Sequence, residues 1–160
     1  MAFLTGWSKG QLVYQDEYEL NPVIVRFSFD LNAVLARYDW RWPGEWRFNV
    51  EPYFAQSWSP DQEQEFGCGL FLRWLCPLDG RVSLFIEGGA GPMYMTLDSA
   101  EQSTHFNFID QAGVGLIVKV SEACDAELGC RFRHVSNAGI DNPNSGIEST
   151  GVLFGVSYRY

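Results

Sequence analysis

The chain has 160 residues, a formal net charge of −9, 16% aromatic residues, 16 glycines and only 19% charged residues. This length suits a single domain covering residues 1–160. The acidic balance argues against a nucleic-acid partner, because nucleic acids favour basic surfaces. It does not exclude a membrane partner, since divalent cations can bridge acidic groups.

The apolar residues fall in alternating runs, which favour an all-β protein over a helical one. No run approaches the roughly 18 apolar residues that a transmembrane helix needs. The opening sequence MAFLTGWSKG lacks the basic region and the apolar region of a signal peptide. We therefore expect an exported protein to be present here in its mature form.

Turn-forming residues divide the alternating runs into about eight predicted strands. In chain order these are Phe3–Val13, Pro22–Leu31, Trp46–Ser57, Glu65–Cys76, Val82–Thr96, Phe106–Val120, Cys124–Ser136 and Glu148–Tyr160. PLDG and VSEA are predicted as short turns, whereas SPDQEQ, LDSAEQST and NAGIDNPNSGI are predicted as longer connections. Long strands in an even number, with short and long connections in alternation, are typical of a small transmembrane barrel.

Most predicted strands have one apolar and one polar face. In a membrane barrel the apolar face contacts lipid and the polar face fills the interior. Side chains expected to point inward, where acid and base can pair, are Glu51, Arg73, Glu87, Glu127, Arg131 and Arg133. The predicted fold is therefore all-β, an eight-stranded antiparallel transmembrane β-barrel.

A soluble barrel of the lipocalin kind is the alternative fold, with the same alternation and the two faces exchanged. It would place the arrays of arginine and glutamate in an apolar core, where burying charge is costly. The positions of the charges therefore favour the membrane barrel.

The chain contains four cysteines, Cys68, Cys76, Cys124 and Cys130. At about 3.3 Å per strand residue, the two sequence-local pairs lie far beyond the roughly 7 Å Cα separation that a disulfide allows. No CxxC or HxxH spacing indicates a metal site. We interpret the cysteines as small apolar side chains, and a longer-range bridge remains open.

Three polar residues near the C-terminus share the predicted lipid-facing surface. Alternation in Cys124–Ser136 puts His134 and Ser136 on the apolar face, and counting back by twos along the last strand puts Glu148 there as well. A serine nucleophile needs a base, which histidine supplies and a carboxylate orients. The pattern thus predicts an acyl-transfer triad, with a merely polar pair at the membrane rim as the alternative.

The developing oxyanion of such a reaction needs hydrogen-bond donors. Asn137 and Asn144, or backbone N–H groups of the glycine-containing loop around them, could supply these donors. No metal is needed for this chemistry, and none is predicted.

The segment HVSNAGIDNPNSGIES, residues 134–149, closely resembles the motif of the outer-membrane lipid A 3-O-deacylases (PagL-like) and of related acyloxyacyl hydrolase-like proteins. In that motif His-x-Ser-Asn is followed, after an Asn-Pro-Asn loop, by an acidic residue that opens the last strand. The segments Ile86–Thr96 and Phe106–Leu116 also resemble this family. The four cysteines and Ala33–Pro43, which looks like an extra connection, depart from the family pattern.

The resemblance implies a serine esterase of the bacterial outer membrane that removes the 3-O-linked acyl chain from lipid A in lipopolysaccharide. Ser136 would be the nucleophile, His134 the base and acid, and Glu148 the orienting carboxylate, with Asn137 and Asn144 as oxyanion or substrate-positioning residues. The implied enzyme is membrane-embedded and has no cofactor, and a homodimer is the assembly considered. An outer-membrane phospholipase and a non-catalytic lipid-binding barrel are the alternative functions.

Overall fold

Eight antiparallel strands close into a barrel in the computed structural model, which describes residues 1–12, 17–40 and 42–159. Each strand pairs with its neighbours in the chain, and the first pairs with the last. The strands are β1 (Ala2–Gln11), β2 (Glu17–Asp30), β3 (Glu45–Ser59), β4 (Gln64–Pro77), β5 (Val82–Met95), β6 (Phe106–Lys119), β7 (Cys124–Ser136) and β8 (Ile147–Tyr158). A short helix, α1 (Asn32–Ala36), lies between β2 and β3. No helix in the described residues is long and apolar enough to cross a membrane.

The predicted eight-stranded antiparallel barrel is confirmed, and β7 has the predicted bounds. β2 begins at Glu17 rather than at Pro22, because Glu17 and Glu19 pair with Gln11 and Lys9 of β1 and both glutamates form ion pairs with Lys9. The SPDQEQ connection is shorter than predicted, since β3 and β4 extend to leave only residues 60–63. The predicted strand ends at Val13 and Tyr160 lie outside the described residues.

The outer wall of the barrel is apolar. Large side chains that alternate along the strands are more than half exposed, among them Phe3, Phe29, Leu72, Leu128 and Phe154. An apolar surface that encircles a protein is unfavourable in water, but it matches the acyl chains of a bilayer. The four cysteines are free thiols on this wall, Cys68 and Cys76 in β4 and Cys124 and Cys130 in β7.

The middle of the barrel interior holds a buried layer of three arginines and three glutamates. Arg26 donates to Glu127 at 2.8 Å, and Arg73 donates to both Glu87 and Glu127. The layer comprises Arg26, Arg73, Arg131, Glu51, Glu87 and Glu127, and beside it Arg133 donates to Glu65. The prediction that Glu51, Arg73, Glu87, Glu127, Arg131 and Arg133 point inward is therefore confirmed. Each charge has an opposite partner, which offsets the cost of removing it from water.

One part of the interior differs from the prediction of a polar filling. A cluster of buried apolar side chains occupies the barrel towards the end opposite the chain termini, and it contains Leu12, Tyr18, Leu20, Ala55, Met93, Met95, Leu97, Ile109, Val135 and Ile147. These side chains share the inward parity of the charged ones but pack against one another. They form an apolar layer beneath the connections at this end of the barrel, and Tyr18 donates from this layer to the buried carboxylate of Glu65.

The two ends of the barrel carry different connections. The terminal rim holds both chain termini and residues 31–44, 78–81 and 120–123, whereas the loop rim holds residues 60–63, 96–105 and 137–146. The predicted PLDG turn lies at the terminal rim, where backbone N–H groups of Arg81 and Val82 donate to Asp79. These hydrogen bonds hold the pKa of the Asp79 carboxyl below its usual value.

Candidate active site at the loop rim

His134 lies on the outer wall between two acidic residues of the adjacent strands. The register of the sheet places it directly opposite Glu148 of β8 on one side and Asp110 of β6 on the other. Side chains in directly opposed positions have Cβ atoms about 4.5–5.5 Å apart. A single row across β6, β7 and β8 thus presents a carboxylate, an imidazole and a second carboxylate on a surface that is otherwise apolar.

His134 and Glu148 are close enough to act together. The Nδ1 atom of His134 is 3.9 Å from Oε1 of Glu148, and the side chains are 36% and 70% exposed. This distance is longer than a hydrogen bond, but it is within reach of a small rotation of the exposed carboxylate. Because Nδ1 faces Glu148, the Nε2 atom remains the one that can act on another group.

Ser136 is two residues beyond His134 on the same face of β7, opposite Phe108 of β6. Two strand residues span about 6.6 Å. The Ser136 hydroxyl makes no hydrogen bond to His134 in the described part of the chain. The structure therefore brings His134 and Glu148 together and places Ser136 nearby. The hydrogen bond between the Ser136 hydroxyl and His134 is not formed. Catalytic hydrogen bonds are often long in free enzymes and shorten when substrate binds.

Gly146 makes room for the imidazole of His134. Its φ of +78° is one that L side chains rarely adopt, and a Cβ atom added there would lie 2.6 Å from Cε1 of His134. Sequence reasoning missed this residue. The available signal was a glycine just before the acidic residue that opens the last strand.

Asn137 and Asn144 contact each other within the connection 137–146. The backbone N–H of Asn137 donates to Oδ1 of Asn144 at 2.9 Å. The buried side chain of Asn137 donates to the carbonyl of Asp141 and to Ser103, and it accepts from the N–H of Gly139. Asn137 therefore holds the loop together, whereas the amide of Asn144 remains at the half-buried edge of the site.

A second connection supports this loop. Gln102 and Asn144 form an isolated antiparallel bridge between residues 96–105 and 137–146. Two further backbone hydrogen bonds join the connections, from Ser103 to Pro143 at 3.0 Å and from Ser145 to Glu101 at 2.9 Å. No local sequence pattern identifies this pairing, because it depends on where two distant loops meet on the closed barrel.

Asp110 is the other residue that sequence reasoning missed. It alternates with Phe106 and Phe108 on the apolar face of β6, and it is exposed. A carboxylate on a lipid-facing surface is costly unless it has a partner or a role. That parity was readable from the sequence, but the register that places Asp110 opposite His134 was not.

The surroundings of the row are suited to an apolar ligand. The rings of Phe106 and Phe108 pack edge to face with centroids 5.4 Å apart, and Phe132 and Val152 extend the apolar wall below the row. The chain's other histidine, His105, is engaged with the carbonyl of Met95 at 3.0 Å. Among the described residues, no group of three or more His, Cys, Asp and Glu side chains could hold a metal ion.

Comparison with known proteins identifies the group to which this barrel is related. The model of the family described as lipid A 3-O-deacylase (PagL) matches residues 24–157. The crystal structure of the outer membrane enzyme PagL superposes with a TM-score of 0.71 at 20% identity, covering 97% of this chain and 98% of that one. Neisserial surface protein A (NspA) superposes with a TM-score of 0.73 at 12% identity, covering 99% of this chain and 95% of that one. A comparison with curated proteins gives no match.

Proposed function

Because this chain belongs to the lipid A 3-O-deacylase (PagL) family of outer-membrane enzymes, we propose that it cleaves the 3-O-linked acyl ester of lipid A with Ser136, His134 and Glu148. The observation that carries the proposal is the position of these residues on one lipid-facing surface, with Glu148 directly opposite His134. The family match supports the proposed reaction, and the positions of the three side chains support their assignment as the catalytic residues.

The first half of the reaction acylates the enzyme. Nε2 of His134 accepts the proton of the Ser136 hydroxyl while the serine oxygen attacks the ester carbonyl carbon. The resulting tetrahedral intermediate collapses, and the bond to the sugar oxygen breaks. His134 then returns the proton to that oxygen, which leaves the sugar with a free 3-hydroxyl group.

The second half regenerates the enzyme. His134 removes a proton from a water molecule, whose oxygen attacks the acyl-serine carbonyl carbon. The bond between that carbon and the Ser136 oxygen then breaks, His134 returns the proton to the serine oxygen, and the fatty acid is released. Glu148 keeps the imidazole oriented and stabilises its cation in both halves, because its carboxylate faces Nδ1. The amide of Asn144, oriented by the N–H of Asn137, is the proposed oxyanion donor.

The location of the row on the outer wall explains how a lipid ester could reach it. The loop rim lies opposite both termini and carries the long connections 96–105 and 137–146, whereas two of the three connections at the terminal rim are short turns. Short turns are typical of the periplasmic side of bacterial outer-membrane barrels, which makes the loop rim the extracellular side. Lipid A of the outer leaflet would place its acyl chains along Phe106, Phe108 and Phe132 without entering a closed pocket. All the proposed catalytic residues lie in one chain, so this arrangement does not require a homodimer. Cross-linking in membranes would test whether a homodimer forms.

Mass spectrometry of lipid A tests the proposal directly. The parent protein, Ser136→Ala and Thr150→Ala are each incubated with lipid A in membrane-like lipid, after a check that the barrels are folded. Thr150 is a matched control because it is an exposed hydroxyl on the same wall, two residues from Glu148. We expect loss of one ester-linked acyl chain with the parent and Thr150→Ala but not with Ser136→Ala. Full activity of Ser136→Ala would exclude Ser136 as the nucleophile.

The same samples separate the alternative functions. A phospholipase would release fatty acid from the surrounding phospholipid and leave lipid A unchanged. A non-catalytic barrel would leave both lipids unchanged in every folded preparation.

A further inference from the structure

Residues 31–44 form an unusual connection at the terminal rim of the barrel. The other two connections there are the short turns 78–81 and 120–123, as is usual on the periplasmic side of outer-membrane barrels. This connection instead contains α1 and a run of aromatic residues. The reaction proposed at the loop rim gives it no role.

The connection is fastened to the barrel at its base. The backbone N–H of Leu31 donates to the carbonyl of Trp46 at 3.0 Å, and the side chain of Asn32 accepts from the N–H of Trp46 at 3.1 Å. At the other end the indole N–H of Trp74 donates to the carbonyl of Pro43 at 2.8 Å. Gly44, with a φ of +96°, makes the turn into β3 against the ring of Trp74. The connection therefore has a defined position beside the outer wall.

The free side of the connection exposes aromatic rings. Tyr38, Trp40 and Trp42 are 80%, 57% and 58% exposed, and no residue of α1 is buried. Tryptophan and tyrosine are enriched where proteins cross the membrane–water interface, because their rings are apolar and their N–H or O–H group can bond lipid headgroups. The side chains of Arg37 and Asp39 are also exposed, so charges of both signs lie among these rings.

An apolar groove runs between the connection and the outer wall. Trp46, Trp74 and Ile86 are directly opposed residues of β3, β4 and β5 and form a row along its floor. Trp42, Leu72 and residues 87–88 complete the lining, and the groove has a volume of about 550 Å³. The groove is shallow and open along the side that faces away from the barrel.

One polar atom at the groove lacks a partner. The indole N–H of Trp46 is buried and donates to no acceptor among the described residues. The Trp46 ring therefore presents its carbon edges, and not its N–H group, to the groove. The acyl chain of a glycerophospholipid matches these apolar walls.

We propose that residues 31–40 and 42–44 lie in the headgroup region of the periplasmic leaflet. We further propose that the groove formed mainly by Trp42, Trp46, Leu72, Trp74 and Ile86 binds one acyl chain of a glycerophospholipid. The groove is continuous with the lipid-facing wall of a barrel that resides in the outer membrane. It lies at the end opposite the row of Asp110, His134 and Glu148, so the occupant is a lipid of the other leaflet. This site is independent of the proposed catalytic residues.

Tryptophan fluorescence tests the position of the connection. The difference in emission between the parent and Trp42→Phe, in phosphatidylcholine vesicles, isolates the signal of Trp42. We expect that signal to be quenched by phospholipid brominated high on the acyl chain and protected from aqueous iodide. Quenching by iodide with no effect of brominated lipid would place the connection in water and overturn the proposal.

Native mass spectrometry tests the groove with phosphatidylethanolamine as the probe. Ile86→Trp should fill the groove and lower the retained phospholipid about tenfold, the effect of losing a modest apolar contact. Leu128→Trp is the matched control, because it adds the same ring to the outer wall on β7. Equal retention of phosphatidylethanolamine by the parent, Ile86→Trp and Leu128→Trp would overturn the proposal. A dimer formed by the parent but not by Ile86→Trp would also overturn it, because a second copy of the chain would then occupy the groove. Deacylation of lipid A should persist in Ile86→Trp.

Discussion

The polar residues inside the barrel and those on its outer wall behave in opposite ways. Inside, Arg26, Arg73 and Arg131 are almost fully buried, and each donates to two or more glutamate oxygens. On the wall, the closest ion pair of the active-site row is 3.9 Å long, and Ser136 is not bonded to His134. Buried polar groups that form hydrogen bonds and ion pairs with one another stabilise a fold. Polar groups without such partners on an apolar surface indicate a binding or catalytic site.

The largest effect is expected from breaking the interior layer. Glu87→Gln would leave the charges of Arg73 and Arg131 without one of their carboxylates. We expect the free energy of unfolding to fall by about 3–5 kcal/mol, the usual cost of removing one partner of a buried pair. Urea unfolding of the folded barrel in detergent measures this. Glu122→Gln removes a carboxylate from an exposed pair with Lys119 and is the matched control, for which no measurable change is expected.

The interior variant also sharpens the comparison with the outer wall. If the layer is structural, the fraction of Glu87→Gln that remains folded should deacylate lipid A at the parent rate. A loss of activity in folded protein would contradict the division between a structural interior and a functional wall.

Glu148→Gln should have the opposite signature. We expect stability to be unchanged, because Glu148 is 70% exposed, and the deacylation rate to fall about 10²-fold through loss of the charge that orients His134. Single-turnover rates on lipid A, with unfolding curves of the same preparation, measure both. A rate near that of the parent would remove Glu148 from the proposed triad.

Gly146→Ala tests the space around the imidazole. The added methyl would meet His134 in a backbone conformation that favours glycine, so the ring would have to shift. We expect an activity loss of about tenfold from misplacement of the base. Gly139→Ala is a close control, since Gly139 also has a positive φ but its Cβ would meet no atom within 4 Å. Equal losses in the two variants would attribute the effect to loop strain alone.

Asp110→Asn is expected to have the smallest effect. Asp110 faces the side of His134 away from Glu148, and its carboxylate makes no ion pair with the ring within the described residues. We expect a loss of only about threefold, comparable to a weakly coupled surface charge. A loss as large as that of Glu148→Gln would show that Asp110 contributes to orienting the imidazole as much as Glu148 does.

The sequence predicted those parts of the molecule that depend on residue parity. Alternation identified the inward charges such as Arg73 and Glu127 and the outward position of His134, Ser136 and Glu148, and the flanking turn residues gave the bounds of β7. The face to which a side chain points depends only on its position along its own strand. It can therefore be predicted without knowing which strands are neighbours in the sheet.

The features that sequence reasoning missed depend on register and closure. Asp110 opposite His134, Gly146 beneath the ring and the bridge between Gln102 and Asn144 all join segments that are distant in the chain. The apolar filling at the loop rim, including Tyr18 and Met93, was missed for another reason. Its residues have inward parity, which was expected to mean polar side chains.

The most direct test of the proposed site is covalent labelling of the protein in native membranes with a fluorophosphonate, which reacts with activated serines. Peptide mapping by mass spectrometry should locate the adduct at Ser136, and the labelling rate should fall sharply in His134→Ala and Glu148→Gln. Labelling of Ser136 at the same rate in all three proteins, or active enzyme with no adduct at Ser136, would contradict a Ser136–His134–Glu148 triad.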